Sequence, residues 1–251
     1  MKRIERLQLR VKDSELMKAF YRDLMGMRVV YEDDERVVLN HPELHLIKGA
    51  TELSNRRYNG LFHMAFLLPS QKDLGTFTKH VIKHDLKLLE VSDHLFSKAI
   101  YFRDPEENGI EVYADADRSN WMFDASGEQL LNAGHRIPVE DLMMLSDESF
   151  STMYDNTIWG HLHLEAMDLD AFKAFYVDQL GFKLMIEDAH ALFTAKDGYH
   201  HHIAMNNWLK RKENLPAHKT GLIGFSLNMP ELESQNLTDP SGIIVKINEN
   251  A

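Results

Sequence analysis

Residues 168–188, DLDAFKAFYVDQLGFKLMIED, repeat an earlier stretch of the same chain. Residues 13–33 read DSELMKAFYRDLMGMRVVYED and align with them without a gap, at an offset of 155. Both stretches contain the tetrapeptide KAFY, then a glycine, and both end in Glu-Asp. Self-similarity of this kind indicates two structural units with the same fold.

Each stretch predicts the same order of secondary structure. An alternating strand leads into Asp13 or Asp168, which stands at a helix N-cap position, and apolar residues follow at helical spacing. Gly26 and Gly181 lie where the end of a helix favours a residue with positive φ. Three short strands come next, and the last strand of the second stretch is predicted at 200–205. The repeated unit is therefore βαβββ.

A second, unequal pair of units lies in the remaining sequence. Residues 60–115 read as another βαβββ unit, and residues 220–248 share its opening strand and its Asp-Pro dipeptide. Nine positions separate Pro230 from Asp239, against thirty-five between Pro69 and Asp104. The last unit is therefore predicted to lack the helix and one or two strands. We name the units A (4–50), B (60–115), C (158–207) and D (220–248).

The unit order also predicts a division of the chain into domains. Units A and B form a first predicted domain at 1–115, and units C and D form a second at 158–251. Residues 116–157 are a predicted linker, within which 138–146 favours a short helix. The predicted fold class is α+β.

The composition restricts the partners that this chain can have. The net charge is −11, so phosphate backbones and anionic membranes are repelled on average, and neither nucleic acid nor a membrane is an expected partner. Cysteine is absent, which excludes disulfides and leaves His, Asp and Glu as metal ligands. The first residues lack the apolar core of a signal peptide, and no apolar run approaches the roughly 18 residues of a membrane span. We expect a cytoplasmic protein.

Several motifs resemble the vicinal oxygen chelate superfamily, which contains glyoxalases, bleomycin resistance proteins and extradiol dioxygenases. The motifs are DPEENGIEVY at 104–113, GHLHLEAMDLDAFKAFYVDQLGF at 160–182 and GYHHHIAMNNW at 198–208. Within the superfamily the chain is most similar to bacterial two-domain proteins of the catechol 2,3-dioxygenase type, over nearly its whole length. The resemblance implies four βαβββ units, the last truncated, that pair into two cupped, barrel-like mixed sheets.

The resemblance also implies where metal ligands lie. They occupy the first strands of two paired units and the last strand of at least one of them. Unit C offers His161, and unit B offers His63 and Glu111. The equivalent positions in units A and D hold residues that are not expected to bind a metal, namely Arg6, Gly224 and Lys246.

The distribution of these positions predicts which units pair. In the usual dioxygenase arrangement units C and D share the metal, and here that site would keep one ligand of three. If unit B packs against unit C instead, the three ligand residues meet in one cup and the three others collect in the second cup. We therefore predict that B pairs with C and that A pairs with D.

Two imidazoles and one carboxylate on one face of a metal are typical of non-haem Fe²⁺ oxygenases. The expected cofactor is Fe²⁺, with Mn²⁺ or another divalent metal as the alternative, and the expected partners are a small catechol-like aromatic and O2. By resemblance, His201 is the acid–base catalyst, Tyr101 hydrogen-bonds a substrate oxygen, and His94 lies beside it. His200 and His202 are expected to face away from His201, in packing or at the surface.

A purely structural interpretation of the same residues exists. His63, on an apolar strand, also suits a core histidine bonded to a carbonyl group. A buried Glu111 needs a cationic partner such as Arg103 or Lys98 where no metal is present. The presence of all three ligand residues at matching motif positions favours the metal.

Two functions besides a ring-cleaving dioxygenase remain open at this stage. A glyoxalase-like isomerase or transferase would use the same cup, although such enzymes usually have a second carboxylate ligand where unit C has histidines. A binding protein that holds small aromatics without turnover would be consistent with the truncated unit D. The shortened unit also exposes sheet that a second copy of the chain would cover, so a homo-oligomer is among the expected states.

Overall fold

The computed structural model describes residues 3–125, 130–131 and 134–249. Unit A consists of strand β1 (Ile4–Val11), helix α1 (Ser14–Ala19) with a π-helical turn at Phe20–Leu24, and strands β2 (Arg28–Glu32), β3 (Arg36–Asn40) and β4 (Glu43–Lys48). Unit B consists of β5 (Gly60–Leu67), α2 (Gln71–Lys83), β6 (Glu90–Asp93), β7 (Ser97–Arg103) and β8 (Gly109–Asp115). Both units have the predicted βαβββ order.

The second half of the chain repeats this order and then shortens it. The linker contains a 3-10 turn (Arg118–Asn120), β9 (His135–Arg136) and α3 (Val139–Met143), and α3 lies within the predicted range 138–146. Unit C consists of β10 (Ile158–Glu165), α4 (Leu169–Lys173) with a π-helical turn at Ala174–Gln179, β11 (Lys183–Glu187), β12 (Ala191–Ala195) and β13 (Ile203–Asn206). Unit D, whose range the structure describes throughout, has no helix and three strands, β14 (Gly221–Leu227), β15 (Gln235–Thr238) and β16 (Ile244–Ile247).

The two repeated helices begin and end as their sequences predict. Asp13 Oδ1 accepts a hydrogen bond from the backbone N–H of Leu16, and Asp168 Oδ1 accepts one from Ala171, both at 3.0 Å. Gly26 and Gly181 follow the helices with φ values of +72° and +68°. None of the helices that the structure describes has the length and apolar character needed to span a membrane.

The units pair in the predicted combination. Strand β5 of unit B pairs antiparallel with β10 of unit C, and β1 of unit A pairs antiparallel with β14 of unit D. In every unit the first strand also pairs in parallel with the last strand. We call the strands β11-β12-β13-β10-β5-β8-β7-β6-β9 the B–C cup and the strands β2-β3-β4-β1-β14-β16-β15 the A–D cup.

The two cups are not separate sheets, which differs from the prediction. Ile4 pairs with Trp159, and this contact joins β1 to β10, so the sixteen strands of the described residues belong to one open sheet. Both strands have a register shift directly after this position, and both residues also keep a partner within their own cup, Leu227 for Ile4 and Phe66 for Trp159.

Alternation of side chains along the first strands separates a core face from a cup face. On β10, Leu162 and Leu164 are buried in the main apolar core, which leaves His161 and His163 on the face of the B–C cup.

Hydrogen bonds between buried side chains tie one cup to the other. Tyr21 of unit A donates to Asp104 of unit B at 2.8 Å, and Tyr176 of unit C donates to Asp239 of unit D at 2.9 Å. Strand pairing therefore joins B to C and A to D, while these bonds join A to B and C to D.

Candidate metal centre

Four neighbouring strands of the B–C cup bring the predicted ligands to one face. His161 on β10 lies opposite Ala65 on β5, Ala65 lies beside Glu111 on β8, and Glu111 lies opposite Tyr101 on β7. His63 precedes Ala65 by two residues and shares its face. The small side chain of Ala65 leaves the space between the histidine and the carboxylate open.

The three predicted ligand residues converge in the structure. Glu111 Oε2 lies 3.0 Å from His63 Nε2 and 2.9 Å from His161 Nε2, and the two nitrogens are 3.3 Å apart. All three are buried: Glu111 is 3% exposed, His63 is 8% exposed and His161 is 1% exposed. Donor atoms that lie about 2.1 Å from one ion, at right angles to each other, are about 3.0 Å apart. This set of atoms therefore fits a divalent metal.

The protonation states of these residues suit a metal as well. Burial raises the pKa of Glu111, but the charges and hydrogen bonds of His161 and His63 outweigh it, so the pKa lies well below the usual range. Burial lowers the pKa of His161 to about 4, against the opposing effect of Glu111. A carboxylate and a neutral imidazole are the forms that bind metals. Glu111 has the histidines as its partners, and neither Arg103 nor Lys98 forms an ion pair with it.

The histidine run does not lie within a strand, contrary to the prediction. Strand β13 begins at Ile203, and the three preceding histidines follow a turn in which Asp197 and Gly198 have positive φ. His200 therefore does not face away from its neighbour, because its Nδ1 lies 2.7 Å from His201 Nδ1. His200 and His202 are both buried, so a surface position is excluded.

A second group able to hold a metal consists of His161, His200 and His201. The two groups share His161, so they form one cluster of imidazoles next to Glu111. His161 Nδ1 is buried and has no hydrogen-bond partner among the described residues. The ring of His201 lies 4.1 Å from that of His161.

Asp115 was not among the predicted site residues, yet it anchors the histidine run through His200. Asp115 Oδ1 lies 3.1 Å from His200 Nε2, and Asp115 Oδ2 accepts from Tyr199 Oη at 3.0 Å. Tyr199 Oη in turn lies 2.8 Å from Tyr113 Oη. Alternation along β8 was the available signal, because positions 111, 113 and 115 share one face of the sheet.

A cavity of about 340 Å³ opens onto the centre. Its walls include five phenylalanine and tryptophan side chains, Phe62, Phe96, Phe102, Phe193 and Trp208. His63, Glu111, His201, Tyr101 and His94 also line it, whereas His161 lies behind this first layer. Tyr101 Oη lies 2.9 Å from His94 Nε2, so these two predicted residues are in contact. Burial, and next the charge of Glu111, raise the pKa of Tyr101 well above its usual value.

Comparison with known proteins places the chain in a family. The family model of the glyoxalase/bleomycin resistance protein/dioxygenase superfamily matches residues 3–112. A Bacillus subtilis (strain 168) protein named catechol-2,3-dioxygenase is 34% identical over 240 residues, which is 92% of this chain and 84% of that protein. The chain belongs to this superfamily.

Solved structures share the superfamily fold with this chain. A putative dioxygenase from Bacillus subtilis covers 97% of this chain and 84% of its own, with a TM-score of 0.62 and 12% identity. A glyoxalase I variant from Zea mays covers 98% and 92%, with a TM-score of 0.57 and 14% identity. The CppA protein of Streptococcus pneumoniae covers 98% of both chains, with a TM-score of 0.57 and 10% identity. At these identities the similarity shows the fold alone.

The A–D cup of this superfamily member contains ion pairs at the equivalent positions. Arg6, which takes the position of His161, pairs with Glu43 and Glu249, and Lys246 also pairs with Glu249 at 2.7 Å. The hydrogen bond from His45, together with Arg6, lowers the pKa of Glu43 to about 2. A guanidinium and an ammonium group supply the positive charge that a metal would bring, as the loss of ligand residues from this cup predicts.

Proposed function

We propose that this protein is a metal-dependent extradiol dioxygenase that cleaves a catechol-like aromatic with O2. In this reaction the ring bond between one hydroxyl-bearing carbon and its unsubstituted neighbour breaks. Both atoms of O2 enter the product, which carries a carboxylate and an aldehyde or ketone. The four electrons that reduce O2 come from the aromatic substrate, so no external reductant is needed.

The observation that carries this proposal is the convergence of His63, Glu111 and His161 beside an aromatic-lined cavity. Two imidazoles and one carboxylate are the ligands that non-haem Fe²⁺ oxygenases use, with the remaining positions open to other molecules. The 34% identical relative named catechol-2,3-dioxygenase supports the same reaction class.

His63, Glu111 and His161 would hold the metal, for which Fe²⁺ is proposed and Mn²⁺ is the alternative. When bound, such an ion supplies positive charge for the two adjacent oxygens of a catechol and a path for electrons from the ring to O2. The protein contributes a buried carboxylate, Glu111, that lies within hydrogen-bond distance of the imidazoles of His63 and His161. Phe62, Phe193 and Trp208 provide flat apolar surfaces for the ring.

A chain of hydrogen bonds determines which ring nitrogen of His201 carries the proton. The Asp115 carboxylate accepts, so His200 carries its proton on Nε2 and accepts at Nδ1. His201 Nδ1 then donates to His200 Nδ1, which leaves His201 Nε2 as an acceptor. In the proposed reaction this nitrogen takes the proton of a catechol hydroxyl and returns it later.

Tyr101 and His94 act on the substrate from the side of the metal ligands that lies opposite His201. The Tyr101 hydroxyl group is a hydrogen-bond donor for a substrate oxygen, and His94 Nε2, 2.9 Å away, orients it. Both roles depend on a substrate that lies against β7, where Tyr101 is opposite Glu111.

Oxygen uptake with catechol, measured after anaerobic reconstitution with Fe²⁺, tests the proposal. We expect O2 and catechol to be consumed in equal amounts, with formation of a yellow ring-fission product. His161→Ala should lose both bound iron and oxygen uptake. His80→Ala is the matched control, because His80 is a half-buried histidine on α2 that bonds the Leu24 carbonyl group outside the cavity.

Tight metal binding without oxygen uptake, across a panel of substituted catechols, would contradict the dioxygenase. Isomerisation of a glutathione hemithioacetal by the same metal-loaded protein would then identify a glyoxalase-like enzyme. If purified protein binds no divalent metal and His63→Ala has unchanged affinity for catechol, the protein is a binding protein.

A further inference from the structure

A second cavity, also of about 340 Å³, lies outside the candidate metal centre. Its walls come largely from the segment that connects unit A to unit B and the segment that connects unit C to unit D. These segments run side by side, with Tyr58 bridged to Glu213 and Glu52 bridged to Lys219. We call it the connector cavity. It shares Phe62 and Arg103 with the cavity that opens onto the candidate metal centre.

Arg56 and Arg211 line this cavity, and the charge of the nearby Glu165 acts on Arg211. Neither Arg56 nor Arg211 forms an ion pair with any residue that the structure describes, although the chain carries a net charge of −11. Arg211 Nη1 donates to the Asn55 carbonyl group at 3.0 Å, while its Nε is buried without an acceptor. Arg57, next in the chain to Arg56, pairs with Glu213. A buried guanidinium donor without an acceptor is costly, so the cavity favours an anionic ligand.

The same cavity contains two buried acceptors without donors. Asn59 Oδ1 and Glu106 Oε2 have no hydrogen-bond partner among the described residues, and both side chains are less than a tenth exposed. Glu106 is fixed in place because its Oε1 accepts from the backbone N–H groups of Lys12 and Asp13 at 2.9 and 2.7 Å. These acceptors favour a ligand group that donates hydrogen bonds and carries positive charge.

The unsatisfied groups of the cavity thus have opposite polarity. We propose that the connector cavity binds a small zwitterion, whose carboxylate engages Arg56 and Arg211 and whose ammonium group engages Glu106 and Asn59. An arginine fork and a carboxylate form paired, charge-assisted hydrogen bonds, which give this end of the ligand its orientation. The remaining charged pair, Arg103 and Glu107, is mutually compensated at 3.7 Å.

Isothermal titration calorimetry with ω-amino acids tests the proposal on the full chain. The probes are glycine, 4-aminobutyrate and 6-aminohexanoate, which separate the two charges by increasing distances, with butyrate and n-butylamine as single-charge controls at equal ionic strength. We expect at least one ω-amino acid to bind more tightly than both controls. Arg211→Gln should weaken that binding by about tenfold or more, because it removes a charge-assisted hydrogen bond.

Arg56→Gln is the second variant, since Arg56 is exposed and its replacement does not threaten folding. Arg57→Gln is the matched control and should bind as the unmodified chain does. The proposal is overturned if no ω-amino acid binds, if butyrate or n-butylamine binds equally well, or if Arg57→Gln weakens binding as much as Arg56→Gln. Because no probe is a catechol and no metal is added, these outcomes are independent of the proposed dioxygenase activity.

Discussion

The buried tyrosines that link the two cups permit a quantitative prediction about stability. Tyr176 donates to Asp239 Oδ2, and Tyr21 donates to Asp104 Oδ2. A Tyr→Phe substitution removes only the hydroxyl group from each pair. Hydrogen bonds to charged groups contribute about 1.5–3 kcal/mol. Each substitution is therefore expected to lower the free energy of unfolding by about that amount.

The two losses should differ, because the two carboxylates have different second partners. Asn108 Nδ2 also donates to Asp104 Oδ2 at 2.8 Å, so this oxygen keeps a donor in Tyr21→Phe. Asp239 Oδ2 has no second side-chain donor among the described residues, so Tyr176→Phe leaves it unsatisfied. We expect a loss of about 3 kcal/mol for Tyr176→Phe and about 1.5 kcal/mol for Tyr21→Phe.

Urea unfolding of metal-free protein at pH 7, followed by circular dichroism, measures both losses. The slope with urea should stay constant, since neither substitution changes the surface exposed on unfolding. Tyr31→Phe is the control, because Tyr31 bonds Asp33 at the surface and its substitution should cause no measurable change. Equal losses, or a larger loss for Tyr21→Phe, would refute the argument from unsatisfied oxygens.

Three further predictions concern protonation, packing and the metal. Burial raises the folded-state pKa of Asp104 to about 6, against about 3.9 in an unfolded chain. The contribution of Asp104 to the free energy of unfolding is thus fully present below about pH 3.9, and it is lost as the pH rises through about 6. Between pH 4 and 7, the free energy of unfolding measured with urea should therefore change by about 3 kcal/mol less in Asp104→Asn than in the unmodified chain. If the free energy of unfolding of this variant changed with pH as much as that of the unmodified chain, the prediction would be contradicted. Gly160→Ala places a methyl carbon 1.8 Å from Tyr113 Oη and should lower the free energy of unfolding by about 1–3 kcal/mol, measured by thermal unfolding. An unaltered melting temperature would show that the ring of Tyr113 moves aside freely. Glu111→Gln should lower the iron content measured by atomic absorption, and full retention of iron would argue against Glu111 as a ligand.

The fold was predictable because its determinants are local and repeated. Asp13 and Gly26 mark the ends of one helix, Asp168 and Gly181 mark the ends of its copy, and each signal acts within a few residues. The pairing of B with C was also predictable, because the ligand residues survive in only those two units. The join between β1 and β10 was not, since it rests on a pairing of distant residues that the alternation of side chains does not reveal.

The four units and the truncation of the last one follow from repeats within the sequence, and the candidate ligands His63, Glu111 and His161 follow from its resemblance to the superfamily. Period-two alternation and fixed motif spacing assign such residues to a strand face without knowledge of the tertiary structure. The contacts of His200 with His201 and with Asp115 arise only in the folded chain. Those contacts depend on a turn at positive φ before β13 and on a residue 85 positions away in the chain. Backbone conformation in a turn and contacts between distant strands are set by the packed whole, so no local pattern encodes them.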